Sequence, residues 1–512
     1  MLNNNNLVVI ATFAVYFVAM FIIGIVAWKR SSDFSDYVLG GRSLGPFATA
    51  ISTGASEMSG WLMVAMPGAA YLSGMSSFWI AAGLLTGSLL NWLIVAQRLR
   101  IYSFVANNSL TIPEFLAERF QQHTKGLRLV ASLFIIIFYL FYTSSGLVAG
   151  GKLLNTVFGM RYELAVVLGV LAIISYTFCG GYLAVSWTDV IQGIMMIFAL
   201  VAVPIAAIME LGGIDASMAS VQAASPYVLQ WLTDAASGES LTWIAIASSL
   251  AWGLGYFGQP HALARFAGIN DHRNIPFARR VAVSWTGIGL VCALLIGVLG
   301  HGYFPDGVTD HERIFMFMVD MLFNPVISSV LLTAILAAVM STADSQLLIC
   351  SSTIADDIYK AAFRKNATQK ELVLVGRLAV LGVSAVALVL ALAPDSDVLA
   401  LVSYAWAGFG ASFGPTLILA LYWKRMNQWG ALSGIIVGGL TVIVWSRLSG
   451  GIFDLYEIVP GFVFSLVSIV LVSLSTAAPL VSVLRQFDEM QSELQAKQED
   501  DAVRISGEAT GG

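Results

Sequence analysis

Long apolar stretches recur along the whole chain, and they limit its possible folds more than any other feature. Crossing the hydrocarbon core of a bilayer takes about 20 apolar residues in a helix. Stretches of this kind begin at Leu7 and recur up to residue 478. Only 11% of the 512 residues are charged, whereas soluble domains carry about 25%. The sequence therefore predicts an all-α, polytopic protein whose surroundings are a lipid bilayer.

We predict thirteen membrane-spanning helices, with boundaries good to about 2–4 residues. The first stretch is retained rather than cleaved as a secretory signal, because no Lys or Arg precedes it and Lys29 and Arg30 follow it. One membrane domain covers 1–482, and 483–512 form a solvated cytoplasmic tail that begins as a short amphipathic helix. The predicted spans are 7–28, 45–66, 77–96, 129–153, 162–182, 190–210, 241–259, 281–300, 326–349, 373–392, 398–423, 430–445 and 458–478.

The positions of Lys and Arg orient these spans. Basic residues collect in the cytoplasmic connections of membrane proteins. Here they collect in alternate connections and leave only Arg161, Arg313 and Arg447 in the opposite set. Lys152 and Arg377 lie near span ends, where long side chains reach the interface. We therefore expect the N-terminus outside and the C-terminus in the cytoplasm.

The same sequence disfavours several other classes of protein. A net charge of -5 without a basic patch does not favour nucleic acid as a partner. Residues 146–152 have the spacing of a phosphate loop, but Leu153 replaces the required Ser or Thr and no strand precedes them. Catalysis is therefore not predicted. The cysteines lack disulfide and zinc spacing and are predicted to be small core residues; they are Cys179, Cys292 and Cys350.

Two predicted spans contain Gly-rich, polar interruptions, at 54–60 in the second span and at 253–260 in the seventh. The two spans stand five apart and so cross the membrane in opposite directions, as in transporters whose inverted repeats begin with broken helices. We predict a five-plus-five inverted repeat, with spans 2–6 at about 45–210 and spans 7–11 at about 241–423. Glycine that merely allows close helix packing is the alternative.

Polar residues near the interruptions are candidates for a cation site. Glu57 lies near the middle of the second span, where a carboxylate is costly unless it has a partner, a cation or water. Ser341 and Thr342 place adjacent hydroxyls in the ninth span, and hydroxyl oxygens suit a hard cation such as sodium. Bonding of these hydroxyls to their own helix is the simpler explanation that remains open.

Aromatic residues line one face of the seventh span, because Trp252, Tyr256 and Pro260 repeat every four residues. Aromatic faces pack against an apolar ring and attract an ammonium group, while proline removes a backbone donor and loosens the helix. This face is a candidate substrate surface, with simple packing as the alternative.

Five stretches resemble the solute:sodium symporter family, and the resemblance extends from the first span to the thirteenth. It implies a leucine-transporter-like fold with thirteen transmembrane helices, in the bacterial inner membrane. The stretches that carry it are 37–46 (YVLGGRSLGP), 58–61 (MSGW), 184–189 (AVSWTD), 252–265 and 334–342.

The resemblance also implies roles for individual residues. Sodium would be bound by backbone oxygens of Ala55, Met58 and Ala338 and by the hydroxyls of Ser341 and Thr342. Substrate would contact Trp252, Tyr256, Pro260, Tyr142 and Ser59, and coupling would depend on Arg42 and Asp189. Glu57 stands where the family has Asp, which leaves its part in sodium affinity open, and Asp344 suggests a gate or a hydrated mouth.

The function implied is sodium-coupled uptake of L-proline by alternating access. Another small amino acid, or a carboxylate such as pantothenate, is the alternative substrate. A channel would not accumulate its solute, and a membrane sensor would need an appended signalling domain larger than the tail of this chain. Nothing in the pattern specifies an oligomeric state.

Overall fold

The structure is a computed structural model that describes residues 4–28, 34–121, 125–177, 181–393 and 397–510. Regular structure in these residues is helical, apart from isolated bridges that pair Leu44 with Ile269 and Thr233 with Ser240. The α-helices are α1 (Asn4–Trp28), α2 (Phe34–Leu39), α3 (Pro46–Glu57), α4 (Met66–Ser73), α5 (Phe78–Ile94), α6 (Ala96–Val105), α7 (Ile112–Arg119), α8 (Gly126–Phe158), α9 (Tyr162–Thr177), α10 (Tyr182–Glu210), α11 (Ile214–Ala224), α12 (Trp243–Ala251), α13 (Pro260–Gly268), α14 (Ile275–Tyr303), α15 (Ile314–Leu322), α16 (Pro325–Ser352), α17 (Gln369–Ala391), α18 (Val398–Tyr422), α19 (Gln428–Trp445), α20 (Ile458–Ser475) and α21 (Val481–Thr510).

Ten helices of the described residues are long and apolar enough to cross a membrane. The prediction of an all-α, polytopic membrane protein is thereby confirmed, while the exact number of thirteen spans stays a prediction. Helix breaks account for part of the difference between ten long helices and thirteen predicted spans, because α3, α12 and α13 have 12, 9 and 9 residues. Each is shorter than the crossing length of about 20 residues.

The first break separates α3 from α4, as the sequence predicts. Helix α3 ends at Glu57, and Met58 leaves the helical region with φ −98° and ψ 75°. The chain then continues through a π-helical turn, Trp61–Ala65, into α4. This break puts backbone carbonyl groups inside the bundle that are free to bond outside their own helix.

The second break separates α12 from α13. A 3-10 helical segment, Trp252–Gly258, follows α12, and Gln259 is extended with φ −77° and ψ 106°. Pro260 then opens α13, where its missing N–H and fixed φ suit the first turn of a helix. Both predicted interruptions are therefore real breaks in helices.

Helix α16 is the central helix of the bundle. It is buried along nearly its whole length and packs against α3, α8, α10 and α17. A helix that is buried all round contacts protein rather than lipid on every face. Its polar residues must therefore find partners on neighbouring helices.

The C-terminal segment, predicted to be a solvated tail that begins as an amphipathic helix, is helical and contacts the rest of the protein. Its helix α21 packs against α6 and buries one face, formed by Val483, Phe487, Met490 and Leu494. The spacing of these residues, every three or four positions, is that of an amphipathic helix. The predicted amphipathic helix is therefore present, and only its apolar face departs from the expectation of a solvated segment, because that face lies against α6.

The cysteines agree in part with their prediction as small core residues. Cys350 is buried, and Cys292 is half-buried. Cys179 lies outside the described residues.

Candidate functional site

Oxygen atoms from α3 and α16 meet at the first break. Ser341 Oγ donates a hydrogen bond to the Ala55 carbonyl at 2.9 Å and lies 3.1 Å from the Ala338 carbonyl. Thr342 Oγ1 donates to the Ser56 carbonyl at 3.0 Å and lies 3.4 Å from the Ala55 carbonyl. All five residues are buried. Hydrogen bonding of the Ser341 and Thr342 hydroxyls to their own helix thus explains only the contact with Ala338, since the other contacts cross to α3.

The chemistry of this oxygen cluster fits a sodium ion. Hydroxyl and carbonyl oxygens are uncharged, hard ligands of the kind that sodium sites use at unwound helices. Ala55, Ala338, Ser341 and Thr342, four of the five predicted ligands, lie in one cluster that joins α3 to α16. Met58 lies three residues along the same break, where its non-helical backbone turns the carbonyl away from the helix direction.

Glu57 occupies the last residue of α3, between this oxygen cluster and a group of aromatic rings. Its side chain is 2% exposed, and its carbonyl accepts hydrogen bonds from Trp61 Nε1 and from the Tyr142 hydroxyl, both at 3.1 Å. The Glu57 carbonyl thus connects the first break to the aromatic group.

Aromatic side chains from both breaks form a single group. Tyr142, Trp252 and Tyr256, which the sequence predicts, are buried here. The Trp61 and Trp252 rings lie 6.4 Å apart between centroids, and the Trp252 ring stacks on Tyr456 at 5.5 Å. Two other predicted substrate residues lie at the edges of the breaks. Ser59 Oγ accepts a hydrogen bond from the Trp61 backbone N–H at 3.3 Å, and Pro260 begins α13.

Three members of this group were missed in the sequence, namely Trp61, Trp406 and Tyr456. Trp61 follows the first interruption directly, and this position was a usable signal. Trp406 and Tyr456 had no such signal, because an aromatic residue in an apolar span is usually a packing residue.

Asp189 forms a buried ion pair with Arg265. The Arg265 Nη2 atom lies 2.7 Å from Asp189 Oδ2, and the two side chains are 3% and 0% exposed. Arg265 also donates to Ser52 Oγ at 2.7 Å and to Ser345 Oγ at 2.6 Å. The guanidinium group thus connects α13 to α3, α10 and α16. The family resemblance implies a role of Asp189 in coupling, but it does not identify Arg265 as its partner.

We expect Asp189→Asn and Arg265→Gln each to destabilise the protein more than the two changes together. Each single change leaves a buried charge without its partner, which costs about 3–5 kcal/mol in protein interiors. The double variant removes both charges. Thermal unfolding of the purified protein measures the effect. The control is Arg161→Gln, which breaks an exposed pair with Glu163 and changes stability by less than about 1 kcal/mol. If the loss of stability in the double variant equalled the sum of the losses in the two single variants, the two groups would not act as a pair.

Arg42, the other predicted coupling residue, lies elsewhere. Its guanidinium group donates to Asn108 Oδ1 at 2.8 Å, to the Ser109 carbonyl at 2.9 Å and to the Ala267 carbonyl. Burial, and to a lesser extent the nearby Arg100, lowers the pKa of Arg42 to about 10. The structure thus places Arg42 between the connection from α6 to α7 and the end of α13, where it joins these two segments.

Asp344 is fully buried in α16. This burial contradicts the expectation of a hydrated mouth, because a carboxylate in such a mouth would be exposed to solvent. The other expectation, a role in a gate, stays a hypothesis.

A family model for the sodium:solute symporter family matches residues 37–438. This range contains both helix breaks, the oxygen cluster and all but one of the aromatic group. The chain belongs to this family.

Curated relatives match nearly the whole chain. The sodium/proline symporter of Escherichia coli strain K12 is 48% identical over 487 residues, which cover 94% of this chain and 95% of the relative. The high-affinity proline transporter PutP of Bacillus subtilis strain 168 is 49% identical over 478 residues, which cover 92% and 99%.

Solved structures match the fold at lower sequence identity. A substrate-bound, outward-open Na⁺-coupled sialic acid symporter superposes with a TM-score of 0.77 at 21% identity, covering 92% of this chain and 99% of that one. MhsT in complex with L-phenylalanine gives a TM-score of 0.50 at 14% identity, covering 85% and 99%. These similarities concern the fold alone, and they show the leucine-transporter-like class that the sequence predicts.

Proposed function

We propose that this protein is a secondary active transporter that couples sodium entry to the uptake of L-proline by alternating access. In this proposal thirteen helices cross the bacterial inner membrane, with the N-terminus outside and the C-terminus in the cytoplasm. Spans 2–6 and 7–11 are the two inverted repeats, and α3 and α12 begin the broken helix of each. The proline transporters of Escherichia coli and Bacillus subtilis, which match over more than nine-tenths of this chain, support the choice of substrate.

The observation that carries the proposal is the oxygen cluster between α3 and α16. Two buried hydroxyls of one helix meet two carbonyls of a broken helix, at 2.9 Å for Ser341 with Ala55 and 3.0 Å for Thr342 with Ser56. A sodium ion bound by these oxygens would favour one arrangement of the two helices over others. Binding would then shift the protein between states only through this difference in affinity.

The second break supplies the substrate part of the mechanism. A proline molecule has an apolar ring and a secondary ammonium group, which suit aromatic faces. Trp252 and Tyr256 provide such faces within the broken segment, and the Trp252 ring lies 6.4 Å from the Trp61 ring at the first break. Sodium and substrate would thus bind on two sides of the first break. An inward-negative membrane potential adds about 2.3 kcal/mol per charge per 100 mV to the driving force.

Uptake of labelled L-proline into proteoliposomes tests this function. With an inward sodium gradient we expect accumulation above the external concentration, and with potassium on both sides only equilibration. Unlabelled amino acids and pantothenate added as competitors identify the preferred substrate. Uptake that never exceeds equilibrium would indicate a channel, and accumulation that proline does not inhibit would contradict the substrate.

We expect Trp252→Ala and Tyr256→Ala to raise the proline concentration at half-maximal uptake by about tenfold or more, since aromatic contacts with a desolvated cation are worth up to about 2 kcal/mol. Both rings border the second break and are buried. Uptake into proteoliposomes at a series of proline concentrations measures the change in half-saturation. The matched control is Trp429→Ala, whose ring is 47% exposed at the start of α19. Unchanged half-saturation in both variants would disprove the assignment of these rings to the pocket.

A further inference from the structure

Trp406 connects α18 to the second break. Its side chain is 1% exposed, and its indole Nε1 donates a hydrogen bond of 2.7 Å to the Trp252 carbonyl. Trp252 is the first residue of the 3-10 segment Trp252–Gly258. The hydrogen bonds in this segment differ from those of an α-helix, so a bond from outside helps to fix where its backbone lies.

Helix α18 packs so closely against the broken segment that only glycine fits at position 255. A Cβ atom at Gly255 would lie 1.9 Å from Trp406 Nε1 and 2.2 Å from its Cδ1, much closer than atoms can approach. The Trp406 indole therefore occupies the space that any side chain at position 255 would need. The indole and this glycine together hold the segment against α18.

The ring of Trp406 also contacts two residues of the proposed substrate pocket. It forms an edge-to-face contact with Tyr256, with centroids 5.0 Å apart and an angle of 87° between the planes. It lies 6.3 Å from the Tyr142 ring at 77°. Edge-to-face pairs favour a defined orientation of both rings. One side chain on α18 thus touches a pocket residue of α8 and two residues of the second break.

We propose that Trp406 is a positioning residue of the substrate site. Its N–H group holds the Trp252 carbonyl, and its ring sets the orientation of the Tyr256 ring. The size of the pocket, and with it the ring size of the preferred substrate, depends on this indole. The inference rests on the proposed function, because it takes Trp252 and Tyr256 as the substrate surface.

Replacing the indole by a smaller ring tests the proposal. Trp406→Phe keeps an aromatic ring and removes the N–H donor. We expect the half-saturating proline concentration to rise about three- to tenfold, the range for loss of one neutral hydrogen bond. The maximal rate and the half-saturating sodium concentration stay within about twofold, because Trp406 makes no hydrogen bond to the oxygen cluster in the described structure. Pipecolate, whose ring has one more methylene than proline, becomes a relatively better competitor.

A matched control makes the same chemical change away from the breaks. Trp445 Nε1 donates to the Leu455 carbonyl at 2.9 Å near the end of α19. Trp445→Phe therefore also removes an indole-to-carbonyl bond, and we expect parental half-saturation for proline and parental competition by pipecolate.

Gly255→Ala provides an independent perturbation, since the three atoms nearest to the new methyl group all belong to Trp406. We expect this change to weaken proline binding strongly in the parent. In a Trp406→Ala background we expect little further weakening, because the atoms that clash are absent. Non-additivity of this kind shows that the two positions act together.

Different results separate the two proposals. Absence of proline uptake by the parent protein overturns the proposed function and this inference with it. Uptake by the parent with unchanged proline half-saturation in Trp406→Phe overturns the inference alone. An equal rise in sodium and proline half-saturation also overturns it, since that pattern indicates a general loosening of the bundle.

Discussion

Replacing both Ser341 and Thr342 by alanine is expected to remove most uptake at ordinary sodium concentrations while the protein stays folded. The double variant removes both hydroxyls that reach from α16 to the Ala55 and Ser56 carbonyls. A cation there would keep only backbone oxygens as ligands. We expect the half-saturating sodium concentration to rise at least about a hundredfold, since each hydrogen bond or ligand to a charged group contributes about 1.5–3 kcal/mol. Uptake at a series of sodium concentrations measures this change.

Two control variants distinguish ligation from general damage. Thr342→Ser keeps the hydroxyl, and we expect near-parental sodium dependence. Ser433 and Thr441 bond to carbonyls of their own helix α19, at 2.9 Å and 2.7 Å. Their double replacement by alanine removes the same atoms without touching the break, and we expect parental uptake. Normal sodium dependence in the Ser341→Ala, Thr342→Ala protein, at normal amounts in the membrane, would refute the sodium site.

Glu57→Gln is expected to lose most uptake at ordinary sodium concentrations, whereas Glu57→Asp keeps it with an altered sodium affinity. The side chain is 2% exposed at the end of α3, where the Glu57 carbonyl accepts a hydrogen bond of 3.1 Å from the Tyr142 hydroxyl. A carboxylate at this depth in a membrane is costly unless it has a partner, a cation or water, so a functional role is the expected explanation. Gln has nearly the same shape and no charge, so the comparison separates charge from packing. Very high sodium partly rescues the Gln variant, because mass action offsets weaker binding.

The control for Glu57 is Glu163→Gln, which neutralises an acid that is half exposed at the start of α9. We expect it to leave sodium and proline half-saturation unchanged. If Glu57→Gln transports with parental sodium half-saturation and Glu57→Asp fails, the role of this residue is steric. A negative charge at this position would then be unnecessary for the cation.

The broken helices and the hydroxyl pair are the parts of the site that sequence reasoning located well. Gly-rich, polar runs inside apolar stretches are local signals, and both runs, at 54–60 and 253–260, prove to be breaks. Ser341 and Thr342 were candidates because they place adjacent hydroxyls in the ninth span, and hydroxyl oxygens suit sodium. Their partners on α3 could be named only through the family resemblance, since nothing local to α16 indicates which helix it faces.

The tail and Asp189 show where local patterns fail. The docking of α21 on α6 depends on a surface that is formed by distant parts of the chain. The partner of Asp189, Arg265, lies 76 residues away in the sequence. A buried acid predicts that some partner exists, but many basic residues in the chain satisfy that condition equally.

The sequence alone determined that the chain is a helical membrane protein, that two of its helices are broken, and to which family it is related. These properties follow from local hydropathy, from Gly and Pro at single positions, and from stretches of residues that can be read in order. Only the tertiary structure decided which side chains meet at the breaks. Trp406 and Trp252, joined by a hydrogen bond, are 154 residues apart. The reason is physical: lipid tails are as apolar as the interior of the bundle, so hydropathy does not distinguish a face that contacts lipid from one that contacts another helix.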